Sequence, residues 1–576
     1  MNYLRKALLL SALGLVSAMI PASFSVLASE PSVLRQDLIS HLTIMKGIYQ
    51  AEYAPGNKNL DDKTSEAIKT AESLPNLTLS DTRKILMSFI YSMKDYHVSI
   101  SFQTSERATL PLIIKSSKNS GTGEQLKYFL EYIDRTELPA DSFPFSVGDQ
   151  IVRFSGSSIA QAIDQVQAET PPISPETDRE LAELALTRRS GARGNQVPRG
   201  PIILEIIPKG QTKPIISKLN WKYTPEHSKD VRSVIASTGL SVVNVEIGFP
   251  FSLLHRRMDI DLAGIEKSYS SEDTPYDIGV RKSFVPALGN KVQETTDSNP
   301  FHAYVFELPN NLRGGYIRIP NFFPDNPDTS IAAYSKIIDD FERDTDVLVI
   351  DLINNPGGYV LYLYALASHL SAIPLETTEH QISVVQVDMM AATKGLETLA
   401  TIKDEVSAIN LLGTTQNGFP VSMELVECLK NYFQFIQNQY LDGHRLSEPY
   451  PLLGVRKINP SKVHYSKPIL LLTNALDFSG ADFFSSILQR NKRVSIFGAQ
   501  TAGAGGFVND VKYPNGLGID TFRVTESVAS CTDDRSKSMS GVLPETQYQM
   551  TPQDLTDNYS GYISAIRQKL TVMLRR

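Results

Sequence analysis

The stretch Lys467–Phe484, KPILLLTNALDFSGADFF, constrains this chain more than any other. Ile469–Leu472 is too short an apolar run for a surface helix and, set between Pro468 and Asn474, reads as a buried strand. Beyond Asp477, residues Ala481, Phe484, Ile487 and Leu488 recur at helical spacing, so a helix begins near Gly480. Ser479 thus stands where a buried strand turns into a helix. Such a turn can lift a hydroxyl clear of the sheet and surround it with backbone N–H groups, where negative charge is favoured. Taken alone, the stretch leaves two readings open, a nucleophile or a helix-capping serine.

A second stretch bears on that choice. Thr345–Tyr359, TDVLVIDLINNPGGY, gives another buried strand over Val347–Leu352, followed by the glycines Gly357 and Gly358. An amphipathic helix precedes it, marked by Ile331, Tyr334, Ile337, Ile338 and Phe341. After the serine helix come a third strand, Val494–Phe497, and the glycine-rich GAQTAGAGG of Gly498–Gly506. Helix, strand, helix, strand, helix, strand is the order of an α/β core. Paired glycines after one strand and a serine after the next suit acyl transfer: the serine attacks, and N–H groups unshielded by a Cβ stabilise the oxyanion.

DLINNPGG, TNALDFSGADFF and GAQTAGAGG resemble, in order and spacing, the core of the tail-specific (C-terminal processing) serine proteases. GVLPETQYQMTPQDL resembles that family's ending, and MKDYHVSISF (Met93–Phe102) its "L-x-D-x-H" segment. The resemblance implies a β/β/α (ClpP/crotonase-like) protease core with an N-terminal helical segment and a PDZ-like insert domain. FSVGDQIVRFSGSSIAQAIDQV (Phe145–Val166) is similar to the PDZ core, which can add a peptide to a sheet edge or serve as a structural insert. Two departures stand out. Ala504 occupies the place of the usual lysine base, which points to the branch containing the chlamydial protease-like activity factor, where a histidine is the base. That branch implies Ser479 as nucleophile, His97 as base, and Gly480 with Gly357 or Gly358 as oxyanion donors. It also has a glutamate three residues before "G-V-x-P"; here Ser538 stands at that acid position, with Glu526, Asp533, Asp534 and Glu545 as other carboxylates nearby.

The expected function is hydrolysis of polypeptides by an exported serine endopeptidase without cofactor; the alternative is a weak or inactive relative acting as a peptide- or ligand-binding scaffold. A net charge of −7 over 576 residues gives no basic footprint for nucleic acid, and 41% hydrophobic content suffices for large cores. The Gly498–Gly506 loop lacks G-K-[S/T], Phe478-Ser479-Gly480 is not the G-x-S-x-G elbow, and the nine histidines suggest no metal site. Two cysteines, Cys428 and Cys531, make no disulfide framework, though they could pair.

Residues 1–28 read as a signal peptide: Arg5 and Lys6, an apolar run over Ala7–Ile20, and Val26-Leu27-Ala28 before the cut. That predicts a periplasmic or secreted protein with no membrane span after cleavage; a homodimer is left open. Residues 29–104 form a helical segment carrying His97, with Ser80 as the expected N-cap of its last helix. Residues 105–225 are the PDZ-like domain, which Trp221, the only tryptophan, is expected to close. Residues 226–300 are a polar surface insertion, which the chlamydial resemblance implies is an inhibitory segment removed by autoproteolysis. The core spans 301–576, with a further insertion at about 375–462 whose parts Met389–Leu412 and Met423–Tyr440 read as helices.

Overall fold

The computed structural model describes residues 31–56, 59–117, 126–170, 172–226, 257–259, 276–530 and 540–575. The expected signal peptide, Cys531, Asp533, Asp534 and Ser538 lie outside the described residues.

A seven-stranded sheet forms the centre. Its order is Lys291–Glu294, Ala303–Glu307, Arg313–Arg318, Val347–Asp351, Ile469–Thr473, Ser495–Gly498 and Thr546–Gln547. The first three strands pair antiparallel and the rest parallel. Parallel strands need both faces covered, which is why Val347–Asp351 and Ile469–Thr473 are buried at every position. Leu348 and Ile350 join the core beneath helices Pro327–Asp344, Val360–Ser368 and Gly480–Arg490; Val347 and Val349 join the core under the C-terminal helix Ser560–Leu574. At the end of strand Val347–Asp351, fully buried Asp351 faces Arg318 at 3.2 Å and accepts hydroxyl hydrogen bonds from Tyr316 and Ser283.

A second sheet, antiparallel throughout, positions the site. Its order is Ser99–Phe102, Ile519–Thr525, Val508–Val511, Arg257–Asp259 and Gly357–Tyr359. The N-terminal helices α1 (Pro31–Glu52), α2 (Leu60–Ser73) and α3 (Leu79–Tyr91) pack Leu38, Leu42, Met45 and Phe89 against Phe522 and Val524 of that sheet. This contact fixes the turn after α3 relative to the protease core.

The PDZ-like unit has its own core. Strands Leu112–Ser117, Lys127–Ile133, Gln150–Phe154, Pro201–Ile207 and Ile215–Asn220 pair in that order and are covered by helices Ile159–Gln167 and Pro175–Leu186. Trp221 packs edge-on against Phe154 in this core, at 6.5 Å between centroids. Lys115 on the edge strand pairs with Glu180 of helix Pro175–Leu186 at 3.0 Å, both nearly buried, which fastens that helix to the strand.

Three sequence expectations need correction, and one helix carried little sequence signal. The cap of α3 is Thr78, not Ser80: Thr78 and Asp81 complete a reciprocal capping box, which starts the helix earlier. Helix α2 was not foreseen because its buried face is Leu60, Thr64, Ala67 and Ala71, mostly too small for a strong apolar signal. Met389–Leu412 is two helices, Gln386–Leu399 and Glu405–Leu412, the second capped by Asp404. Finally, residues 276–288 are not surface insertion. Ile278, Val280, Val285 and Leu288 are buried, and Lys291–Glu294 forms an edge of the central sheet.

Candidate active site

The sequence-predicted serine and histidine, 382 residues apart, meet: His97 Nε2 lies 2.6 Å from Ser479 Oγ. Both side chains are fully buried. Ser479 has φ 58° and ψ −108°, a conformation L-residues rarely adopt, at the junction of strand Ile469–Thr473 and helix Gly480–Arg490. Asp482 holds that junction by accepting the Ser479 N–H at 2.6 Å, as the returning carboxylate of a capping box does. Its other oxygen accepts the Gly503 N–H at 3.0 Å, and Thr501 and the Ala504 N–H also bond to it. Burial pushes the Asp482 carboxyl up to about 6 against those donors.

His97 is set by its backbone. Asp95 Oδ1 accepts the His97 N–H at 2.9 Å, Asp95 Oδ2 accepts the Thr525 hydroxyl at 2.7 Å, and Tyr53 also bonds to this carboxylate. Burial, with some help from Arg523, pushes His97 down to about 3, so its imidazole is neutral and able to accept a proton. Nδ1 of His97 is buried and has no hydrogen-bond partner among the described residues.

The glycines divide their roles. Gly357 donates its N–H to Asn355 Oδ1 at 2.9 Å, whereas the Gly358 nitrogen lies beside Gly480: a Cβ on Gly480 would stand 3.0 Å from it. Gly480 N in turn lies 2.7 Å from where a Cβ on Gly357 would stand, so the Gly357–Gly358 turn packs against the start of the serine helix. Gly358 has φ 150°, and a Cβ there would strike Phe322 carbonyl carbon at 2.2 Å. The loop is braced by groups that sequence reasoning missed. Asp477, fully buried, accepts the N–H groups of Asn355 and Asn474, and the Phe478 N–H reaches the Asn355 carbonyl at 2.8 Å. The only signal for them was two short polar runs, each after an apolar strand.

Ala504 is buried in a small apolar cluster with Leu476, Phe478 and Ala502. Glu545 is used elsewhere: Oε2 accepts the Ile496 N–H at 2.6 Å and Oε1 the Gln489 amide at 3.0 Å. Glu526 is buried in the turn between strands Ile519–Thr525 and Ser527–Ala529. Cys428 is half-buried and makes no disulfide among the described residues.

The site is covered. Strand Arg257–Asp259 pairs with Gly357–Tyr359 on one side, and its Arg257 with Val508 on the other. Met258 is fully buried. A Cβ on Gly357 would come within 2.1 Å of the Met258 carbonyl oxygen, 2.7 Å of Gly480 N and 3.0 Å of Ser479 Cβ, so these groups gather around one point. Among the described residues, no helix is long and apolar enough to cross a membrane.

Residues 106–232 match a PDZ domain and residues 313–547 match peptidase family S41. An uncharacterized protein of Chlamydia muridarum is 30% identical over 579 residues, covering 94% of this chain and 94% of its own length. A protein of Chlamydia trachomatis is 28% identical over 574 residues, covering 93% of each. The structure of mature CPAF, the chlamydial protease-like activity factor, complexed with lactacystin superposes with a TM-score of 0.79 at 27% identity, covering 94% of this chain and 99% of that one. Mature CPAF alone gives a TM-score of 0.78 at the same identity, covering 94% and 98%. With its fold and its serine–histidine pair, the chain belongs to peptidase family S41.

Proposed function

We propose that Ser479 is the nucleophile and His97 the general base of a serine endopeptidase that hydrolyses polypeptides. The observation that carries this reading is the 2.6 Å contact between Ser479 Oγ and a neutral His97 Nε2, beside the N–H groups of Gly480 and Gly358. His97 takes the hydroxyl proton as Oγ attacks the scissile carbonyl carbon. The two N–H groups face the oxyanion that forms. His97 then returns the proton to the leaving amine, and water hydrolyses the acyl-enzyme by the same steps.

Strand Arg257–Asp259 supports a second part of the reading: the inserted segment holds the path of the substrate and is cut by the enzyme itself. It fills the gap between Gly357–Tyr359 and Val508–Val511, as an extended substrate would. Residues 1–28 serve as an export signal, so the mature chain begins near Ser29. Two measurements test the proposal. A fluorophosphonate should label wild type and not Ser479→Ala, and the purified wild type should convert on storage to fragments cut within residues 226–300 while Ser479→Ala stays whole. Labelling of Ser479→Ala at the wild-type rate would remove Ser479 from its role.

A further inference from the structure

A cleft of about 710 Å³ separates helices α2 and α3 from the PDZ-like unit. In a chain of net charge −7, its lining is cationic: Lys63, Lys84, Lys94 and Arg193 against Glu66 and Glu169. Glu169 is already committed, since buried Arg189 holds both its oxygens at 2.5 and 2.7 Å. Lys63 donates to the Ser92 carbonyl at 2.5 Å, and both burial and the neighbouring Lys94 depress its pKa. Lys84 and Lys94 are exposed.

The cleft does not end at the surface. Tyr91, Glu169, Arg193 and Asn195 line both it and a smaller cavity of about 110 Å³ that reaches Tyr96 and Phe478. Tyr96 precedes His97 and Phe478 precedes Ser479, and their rings meet edge-on at 5.5 Å. The cationic cleft is therefore adjacent to a cavity that reaches the residues preceding the serine and the histidine.

We propose that this cleft binds an anionic stretch of the polypeptide substrate, rich in Asp or Glu and remote from the scissile bond, and so sets substrate preference. Lys84 and Lys94 are the reading residues, with Lys63 held at the end of α3 by the Ser92 carbonyl. Lys84 and Lys94, exposed on the cleft wall with Lys63 nearby, raise the local potential and draw an opposite charge to it. Binding energy gathered away from the reacting bond lowers KM, and where it is realised only in the transition state it raises kcat. This inference rests on the protease reading, and its primary test does not need turnover.

The full-length Ser479→Ala protein is titrated with fluorescently labelled peptides of equal length and apolar content carrying four Glu, four Gln or four Lys. Fluorescence anisotropy is expected to show the Glu peptide binding most tightly, with affinity falling as salt is raised. Lys84→Glu with Lys94→Glu should weaken the Glu peptide about tenfold while moving the Gln peptide less than twofold. In the active enzyme the same pair should raise KM for acidic substrates and leave cleavage of a neutral peptide unchanged. Equal affinity for all three peptides, equal effects of the double variant on Glu and Gln peptides, or tight binding of an oligonucleotide in place of the Glu peptide would overturn the proposal. Loss of cleavage with charge-dependent binding intact would instead count against the protease reading.

Discussion

Asp95 holds His97 by the backbone, its Oδ1 accepting the His97 N–H at 2.9 Å. The other oxygen is bound by Thr525, on the strand that pairs with Ser99–Phe102, so the carboxylate ties the histidine turn to the protease sheet. Asp95→Ala is expected to lower kcat by about tenfold to a hundredfold with KM within twofold, because a shift of about an ångström in the base is felt at that scale. Asp95→Asn, which keeps an acceptor for the His97 N–H, should recover most of the loss. Steady-state kinetics with circular dichroism as a fold check decide it, and equal losses in both variants would remove the backbone hydrogen bond as the cause.

The imidazole lacks a carboxylate at Nδ1 among the described residues. The sequence resemblance implies Ser538 at the family's acid position, and a hydroxyl cannot offset an imidazolium as a carboxylate does. Ser538→Glu is expected to raise kcat at least tenfold, with a rate that rises through an imidazole-like pKa. Glu545→Gln should change kcat less than threefold, since Glu545 serves Ile496 and Gln489 instead. It should lower stability by about 1 kcal/mol through the Ile496 hydrogen bond. A hundredfold fall in kcat for a folded Glu545→Gln would make Glu545 the third member.

Met258 anchors the covering strand by a side chain with no exposed surface. Met258→Asp would bury a charge without a partner, which costs several kcal/mol and favours release of the strand. The variant is expected to label with a fluorophosphonate at least tenfold faster than fresh, uncut wild type. Equal rates would mean that the strand does not limit access.

Glu131 lies between the PDZ-like unit and the C-terminal segment, accepting the Tyr559 hydroxyl at 2.6 Å. Burial pushes its carboxyl from 4.5 up to about 7, opposed by Lys115. The folded chain therefore keeps a proton that the unfolded chain gives up above 4.5. The associated stability is fully present below pH 4.5 and lost as pH rises through about 7. Thermal melts should show wild type losing stability between pH 5 and 8 relative to Glu131→Gln, which cannot ionise. Parallel curves would place the proton elsewhere in the Lys115 cluster.

Much of this architecture was legible where burial forces a pattern. Val347–Asp351 and Ile469–Thr473 read as strands because a parallel sheet needs both faces apolar, and Ser479 was conspicuous because a helix starts one residue later. The pairing of His97 with Ser479 was legible only through the family resemblance, because no local pattern joins residues 382 apart. Asp482 carried a readable signal as the third residue of a capping box after Ser479, but its bond to Gly503 is tertiary. Arg257–Asp259 had none: three residues that become a strand only between two existing edges have no periodicity to detect.

The gap filled by Arg257–Asp259 is one strand wide and bounded on both sides by backbone hydrogen-bonding edges. A chain that replaces it must arrive extended, with its own N–H and C=O groups unpaired. Helices and internal strands of a folded target do not meet that condition until they open locally. Where opening and closing are fast relative to cleavage, the rate on a folded target should follow the free energy of that local opening more than the residues at the bond. A destabilised or unstructured target would then be cut first, and a tightly folded protein with the same sequence spared.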